Sequence, residues 1–163
     1  RNEKVKVLES IPPVELDDCV LGQYLAPEDG SEPGYVDDPS VPDDSITPTF
    51  ASMALKINNP RWEGVPFVLK AGKALNERKG EVRIQFQRSP GASKMFPGEK
   101  IPANELVIRL QPDEAVYMKV NVKEPGLRTT PVTSELDLTY KSSFPDAFHV
   151  DAYSRLIIDV LRG

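Results

Sequence analysis

The sequence predicts an α+β fold: one large, mostly antiparallel β-sheet with helices packed on one face. Three observations carry that expectation. Apolar and polar residues alternate with a period of two in five stretches between Phe50 and Tyr140, which marks half-buried strands. The connections between them are short and rich in Gly, Pro, Asn and Asp, leaving no room for the helices that parallel strands need. A single amphipathic pattern closes the chain: Tyr153, Leu156, Ile157, Val160 and Leu161 fall at i, i+3, i+4, i+7 and i+8, with Asp151 as an acidic cap. An apolar sheet face needs such a cover.

In order, residues 1–8 are charged with Val5 and Leu8 three apart, a helix end that Pro12-Pro13 stops. Val20 to Tyr24 suits a short strand. Residues 26–48 carry five prolines and the pairs Asp37-Asp38 and Asp43-Asp44, and read as an acidic, Pro-rich surface loop. The aspartates are adjacent rather than alternating and no Asp-x-Asp-x-Asp-Gly pattern is present, so a solvated loop is favoured over a calcium loop. Met53, Leu55 and Ile57 share one strand face, and Val65 to Leu69 is the length of a buried strand. Val82, Ile84 and Phe86 oppose Glu81, Arg83 and Gln85. Leu106, Ile108 and Leu110 oppose Val107, Arg109 and Gln111. Val116, Met118, Val120 and Val122 oppose Tyr117, Lys119, Asn121 and Lys123, and Leu136, Leu138 and Tyr140 oppose Glu135, Asp137 and Thr139.

A chain of 163 residues can bury one core, and a single domain is the default. No apolar run approaches the ~20 residues of a membrane helix. The one cysteine, Cys19, forbids an internal disulfide and fits a reducing compartment, and the one histidine, His149, argues against a histidine metal site. The net charge of −5 is unevenly spread: eleven of the 25 acids lie between Lys6 and Lys56, where no Lys or Arg occurs. From Lys56 onward seventeen basic residues face thirteen acidic ones, so a surface for an anionic ligand is expected there. The acidic balance and the 7% aromatic content argue against nucleic acid. Opening at Arg1 without methionine or signal pattern, and stopping directly after a helical pattern, the chain reads as a piece of something longer.

The stretch from Gly64 to Lys79 joins an apolar run to a glycine and the cations Lys70, Lys73, Arg78 and Lys79. Such a device can bind an anion, with Gly72 letting backbone approach a ligand; a basic surface loop is an equal alternative. Alternation also places Arg83, Arg109, Tyr117, Lys119, Asp137 and Thr139 on one polar sheet face. Cations for phosphates, a ring for a base and a carboxylate for ribose or amide groups can hold a phosphorylated nucleotide. On pattern alone, a solvated face with cross-strand ion pairs is favoured. Gly72-Lys73 lacks the remainder of a Walker A motif, Gly-x-Gly-x-x-Gly is absent, and no catalytic set can be assembled. Trp62 reads as a packing or lid residue, and His149 as a loop or helix-flanking one.

Several ordered blocks nevertheless resemble the C-terminal part of glucose-6-phosphate dehydrogenases over essentially the whole chain. They are residues 1–8, Val20 to Tyr24, Arg61 to Phe67, Gly72 to Lys79, Glu105 to Pro112 and Ser134 to Tyr140. The flavour is closest to plant-type cytosolic enzymes. The resemblance implies a parent that oxidises D-glucose 6-phosphate to 6-phosphogluconolactone with reduction of NADP, the first step of the oxidative pentose phosphate pathway. It implies that the Rossmann domain and the catalytic histidine lie upstream, outside this sequence. Residues 1–163 would then be the β+α domain, partial at both ends, inactive on its own and pairing subunits into a dimer or tetramer through its sheet. The expected home is the cytosol, with the plastid as alternative.

Carried over by the same resemblance, Lys73, Arg78 and Gln111 are expected to contact glucose 6-phosphate. Lys70, Lys79, Arg83, Arg109, Tyr117, Lys119, Asp137 and Thr139 are expected at a structural NADP site. Many relatives have Arg where Lys70 stands, which changes the phosphate geometry on offer. Val150 stands where proline is usual. No catalytic residue and no metal ligand is implied within the chain. A non-catalytic nucleotide-binding or dimerisation module is the alternative.

Overall fold

The computed structural model describes residues 2–146 and 151–162, without the side chains of Ser93, Lys141 and Ser142. His149 and Val150, singled out above, lie outside the described residues. The chain divides into two compact units, the first running to Asn76 and the second starting at Glu77.

The first unit opens with helix α1 (Asn2–Glu9) and then builds a three-stranded antiparallel sheet from β1 (Cys19–Gly22), β2 (Phe50–Leu55) and β3 (Phe67–Gly72), in that order. The loop of residues 26–48 is held by local bonds rather than by a core. Gln23 Nε2 donates to the Ser45 and Thr47 carbonyls at 2.8 Å, and the rings of Tyr24 and Tyr35 meet edge-on at 5.9 Å. Asp29 and Asp38 accept the backbone N–H groups of Ser31 and Ser40. These bonds hold both carboxyls below their usual range and give the aspartates a turn-making role.

Strand β3 starts two residues later than the apolar run suggests. Pro66 has no N–H for a ladder, and the Val65 N–H is spent on the Trp62 carbonyl at 3.0 Å. The strand therefore runs on through Lys70, which pairs with Ser52 and sets its ammonium 5.8 Å from the centre of the Phe50 ring. Gly72 is explained by the same ring: a β-carbon there would stand 2.9 Å from Phe50 Cδ2. The close approach it permits is to the neighbouring strand β2. Trp62 packs edge-on against Phe67 at 5.3 Å.

Between them, Gly64 holds φ +76 with open space where a β-carbon would stand. Gly64→Ala should therefore cost only backbone strain, about 1 kcal/mol by thermal unfolding. A neutral result would contradict the left-handed turn.

The second unit is a four-stranded antiparallel meander: β4 (Gly80–Gln85), β5 (Glu105–Gln111), β6 (Ala115–Val122) and β7 (Val132–Thr139), neighbours in that order. Two single helical turns, α2 (Ala92–Met95) and α3 (Tyr140–Ser143), follow β4 and β7, and helix α4 (Ala152–Arg162) comes last. The α+β class and the antiparallel pairing match the sequence expectation, but the strands divide into sheets of three and four rather than forming one. Asp151 caps α4 as expected, accepting the N–H groups of Tyr153 and Ser154 at 2.8 and 3.1 Å.

In register, Arg83, Val107, Tyr117 and Asp137 form one row across the second sheet, and Glu81, Arg109, Ala115 and Thr139 the next. A third row sets Gln85, Glu105, Lys119 and Glu135 side by side. Val107 is fully buried and Ala115 nearly so, both on this polar face, under the long side chains that surround them. The opposite, apolar face is open: Val82, Ile84, Leu110, Leu136 and Leu138 stay 44–64% exposed. The α4 stripe of Tyr153, Leu156, Ile157, Val160 and Leu161 is exposed too.

The ladder between β4 and β5 is irregular at one end. The partner of Gly80 is Gln111, yet the partner of Glu81 is Arg109, so Leu110 is the extra residue of a β-bulge.

Candidate functional site

The three rows converge on a cavity of about 370 Å³ in the second unit, lined mainly by polar groups. Lys79, Arg83, Arg109, Tyr117, Lys119, Asp137 and Thr139, seven residues singled out from sequence, all line it. Period-two alternation is what brings them together, since each strand presents alternate residues to the same side.

Tyr117 sits at the centre of the electrostatics. Arg109 and Lys119 each approach its ring, at 5.7 and 5.9 Å from the centroid. On the neighbouring strand β7, Thr139 Oγ1 donates to Asp137 Oδ2, two residues before it, at 3.0 Å.

The other cations are already engaged. Arg83 Nη2 donates to Glu81 Oε1 at 2.8 Å and Nη1 to Glu105 Oε2 at 2.9 Å, so its fork is bracketed by two carboxylates. Lys79 stands 2.6 Å from Glu77 and 3.4 Å from Glu81, and Lys119 3.5 Å from Glu135. Glu77, Glu81, Glu105 and Glu135 are not among the residues that sequence reasoning assigns to the site. Alternation puts Glu81, Glu105 and Glu135 on the cationic face, so that signal was present; Glu77 precedes β4 and carried none.

Two buried atoms remain without hydrogen-bond partners among the described residues: Glu81 Oε2 and Arg109 Nε. Buried polar groups are seldom left so. The face therefore offers one guanidinium with unused donors beside an aromatic ring flanked by cations. That set suits an anion attached to a flat ring system, which is the chemistry of a phosphorylated nucleotide.

The remaining candidates are elsewhere. Arg78 precedes β4, while Lys70 and Lys73 belong to the first unit, the latter donating its N–H to the Thr49 carbonyl at 2.9 Å. Gln111 is absent from the cavity lining because the bulge sets it over Gly80, where its Cγ lies 3.4 Å from the place of a β-carbon.

Residues 1–163, the whole chain, match the family model described as the C-terminal domain of glucose-6-phosphate dehydrogenase. The chain belongs to this family. It is 55% identical over its full length to the cytoplasmic isoform of glucose-6-phosphate 1-dehydrogenase from Solanum tuberosum. A cytoplasmic glucose-6-phosphate 1-dehydrogenase of Arabidopsis thaliana is 54% identical over the same span. The chain covers 30% of the length of each. Among solved structures, a glucose-6-phosphate dehydrogenase in complex with its substrate glucose 6-phosphate is similar, with a TM-score of 0.83 and 53% identity. That match covers 99% of this chain and 32% of the other.

In this glucose-6-phosphate dehydrogenase domain the charge network should be visible in acid unfolding. The Arg83 hydrogen bond holds the Glu81 carboxyl below its ordinary value of 4.5, with Lys79 assisting and burial opposing. A depressed carboxylate contributes stability that is present above the unfolded-state value and lost as pH falls through the lowered folded value. The stability of the second unit should thus decline as pH drops below about 4.5. Glu81→Gln should flatten that part of the profile, and identical acid limbs for both proteins would contradict the pairing.

Proposed function

We propose that this chain is the C-terminal β+α domain of an NADP-dependent glucose-6-phosphate dehydrogenase. The full-length protein would oxidise D-glucose 6-phosphate to 6-phosphogluconolactone, with NADP accepting hydride from C1 of the sugar. The chain's share is positional: it holds ligands and pairs subunits, while the groups that move the proton belong to the remainder of the enzyme. Family membership over the whole chain supports the reaction. The observation that carries this chain's own part is the convergence of Arg83, Arg109 and Lys119 around Tyr117 in one cavity.

NADP fits the donors of that cavity. Arg109 and Lys119 would meet phosphate oxygens, Tyr117 would lie against a base or nicotinamide ring, and Asp137 and Thr139 would bond ribose or amide groups. Lys79 and Arg83 would join only by exchanging carboxylate partners for phosphate. Lys73, Arg78 and Gln111 are assigned to the sugar phosphate. The names of the relatives support a cytoplasmic home, and the uncovered apolar sheet face supports association of copies into a dimer or tetramer.

Kinetics of the full-length protein test the sugar-phosphate assignment. A charge-assisted hydrogen bond to an oxyanion is worth enough that Lys73→Ala or Arg78→Ala should raise KM for glucose 6-phosphate about tenfold. The KM for NADP should be unchanged. An unaltered sugar KM in both variants would remove these residues from the site.

A further inference from the structure

We propose that Glu81 is an exchangeable carboxylate that passes from Arg83 to Arg109 when an anion arrives at the face, and so acts as a positioning residue for nucleotide binding. The proposal rests on the reading of this face as a nucleotide site. It starts from a mismatch: Glu81 and Arg109 are direct cross-strand partners in β4 and β5, and each keeps a buried atom of complementary kind unbonded. Glu81 Oε2 is an acceptor and Arg109 Nε a donor. Facing pairs of this kind normally bond to each other.

What holds Glu81 back is its other oxygen. Glu81 Oε1 accepts from Arg83 at 2.8 Å and stands 3.4 Å from Lys79, while the side chain is only 14% exposed. Both of these cations are occupied by carboxylates, so a phosphate held by Arg109 and Lys119 can recruit them only if a carboxylate lets go. Arg83 can surrender one of its two carboxylates, and the two are not equivalent. Glu105 is further fixed by Gln85, whose Nε2 donates to its second oxygen at 3.3 Å. Glu81 has a free oxygen and a vacant donor directly across the strand pair.

The exchange conserves charge and hydrogen bonds. Glu81 leaves Arg83 and Lys79 for the Arg109 Nε–H, and phosphate oxygens take its place. Arg109 keeps its terminal nitrogens for the ligand, because the bond to Glu81 uses Nε alone. The regular register of β4 against β5 sets Arg109 opposite Glu81, and the Leu110 bulge shifts only the next pair, Gly80 and Gln111.

A double-mutant cycle with Glu81→Gln and Arg109→Met in the full-length protein tests the exchange, read as melting temperature with and without NADP. Arg109→Lys, which keeps the charge and lacks the Nε–H, serves as the second variant. Without nucleotide the two sites should be additive within about 1 °C; with saturating NADP a coupling of about 2–4 °C should appear. Equal coupling in both conditions, or none in either, overturns the exchange. A wild-type shift that Arg83→Ala and Lys119→Ala both leave intact removes the nucleotide reading of the face, and the exchange with it.

Discussion

Val107→Ala is expected to lower the stability of the second unit by about 2 kcal/mol, the loss of two fully buried methyl groups together with the space they leave. In a chain of this size that corresponds to roughly 4–8 °C in melting temperature. Val107 is the only side chain with no exposure among the described residues, and it lies in the row between Arg83 and Tyr117. The opposite sheet face, by contrast, carries apolar residues that remain half exposed, so truncating Leu136 or Val82 should cost far less. Circular dichroism melts of the three variants make the comparison. Equal losses at all three sites would show that the polar face is not where this unit has its core.

Nucleotide binding carries the other large effect. A ligand present at 100 times its dissociation constant stabilises the folded state by about 2.7 kcal/mol. If the cavity takes NADP, the part of the thermal shift owed to this face should fall sharply in Arg109→Met and in Lys119→Ala. Arg109 and Lys119 stand in the rows on either side of Tyr117, at 5.7 and 5.9 Å from its ring, so their losses should be similar in size. Differential scanning fluorimetry at saturating NADP reads the result. A melting curve that NADP leaves unchanged would argue against the face as a nucleotide site.

How far the sequence reaches can be judged from particular residues. Arg83, Arg109, Tyr117, Lys119, Asp137 and Thr139 fall together because a strand's side-chain period is fixed by the peptide backbone and needs no tertiary information. The division into two sheets was not legible, since which strands pair depends on contacts between distant segments. The bulge was hidden for a more local reason. Leu106, Ile108 and Leu110 read as an unbroken apolar alternation, and only the pairing of Gly80 with Gln111 reveals that Leu110 is supernumerary. The carboxylates around Arg83 are written in the same alternation as the cations. Weighing them demanded distances, because a glutamate two residues away on a strand pairs with an arginine only if the rotamers meet.

That supernumerary leucine has a wider meaning. In a sheet, inserting one residue resembles a shift of reading frame: everything beyond it is presented to the other side. Arg109 and Gln111, two positions apart and nominally in phase, are thereby separated: Arg109 lines the cavity and Gln111 stands over Gly80. Substitutions at one should combine independently with substitutions at the other; if Arg109 serves a nucleotide and Gln111 the sugar phosphate, the two affinities could be tuned along a single strand without trading one for the other.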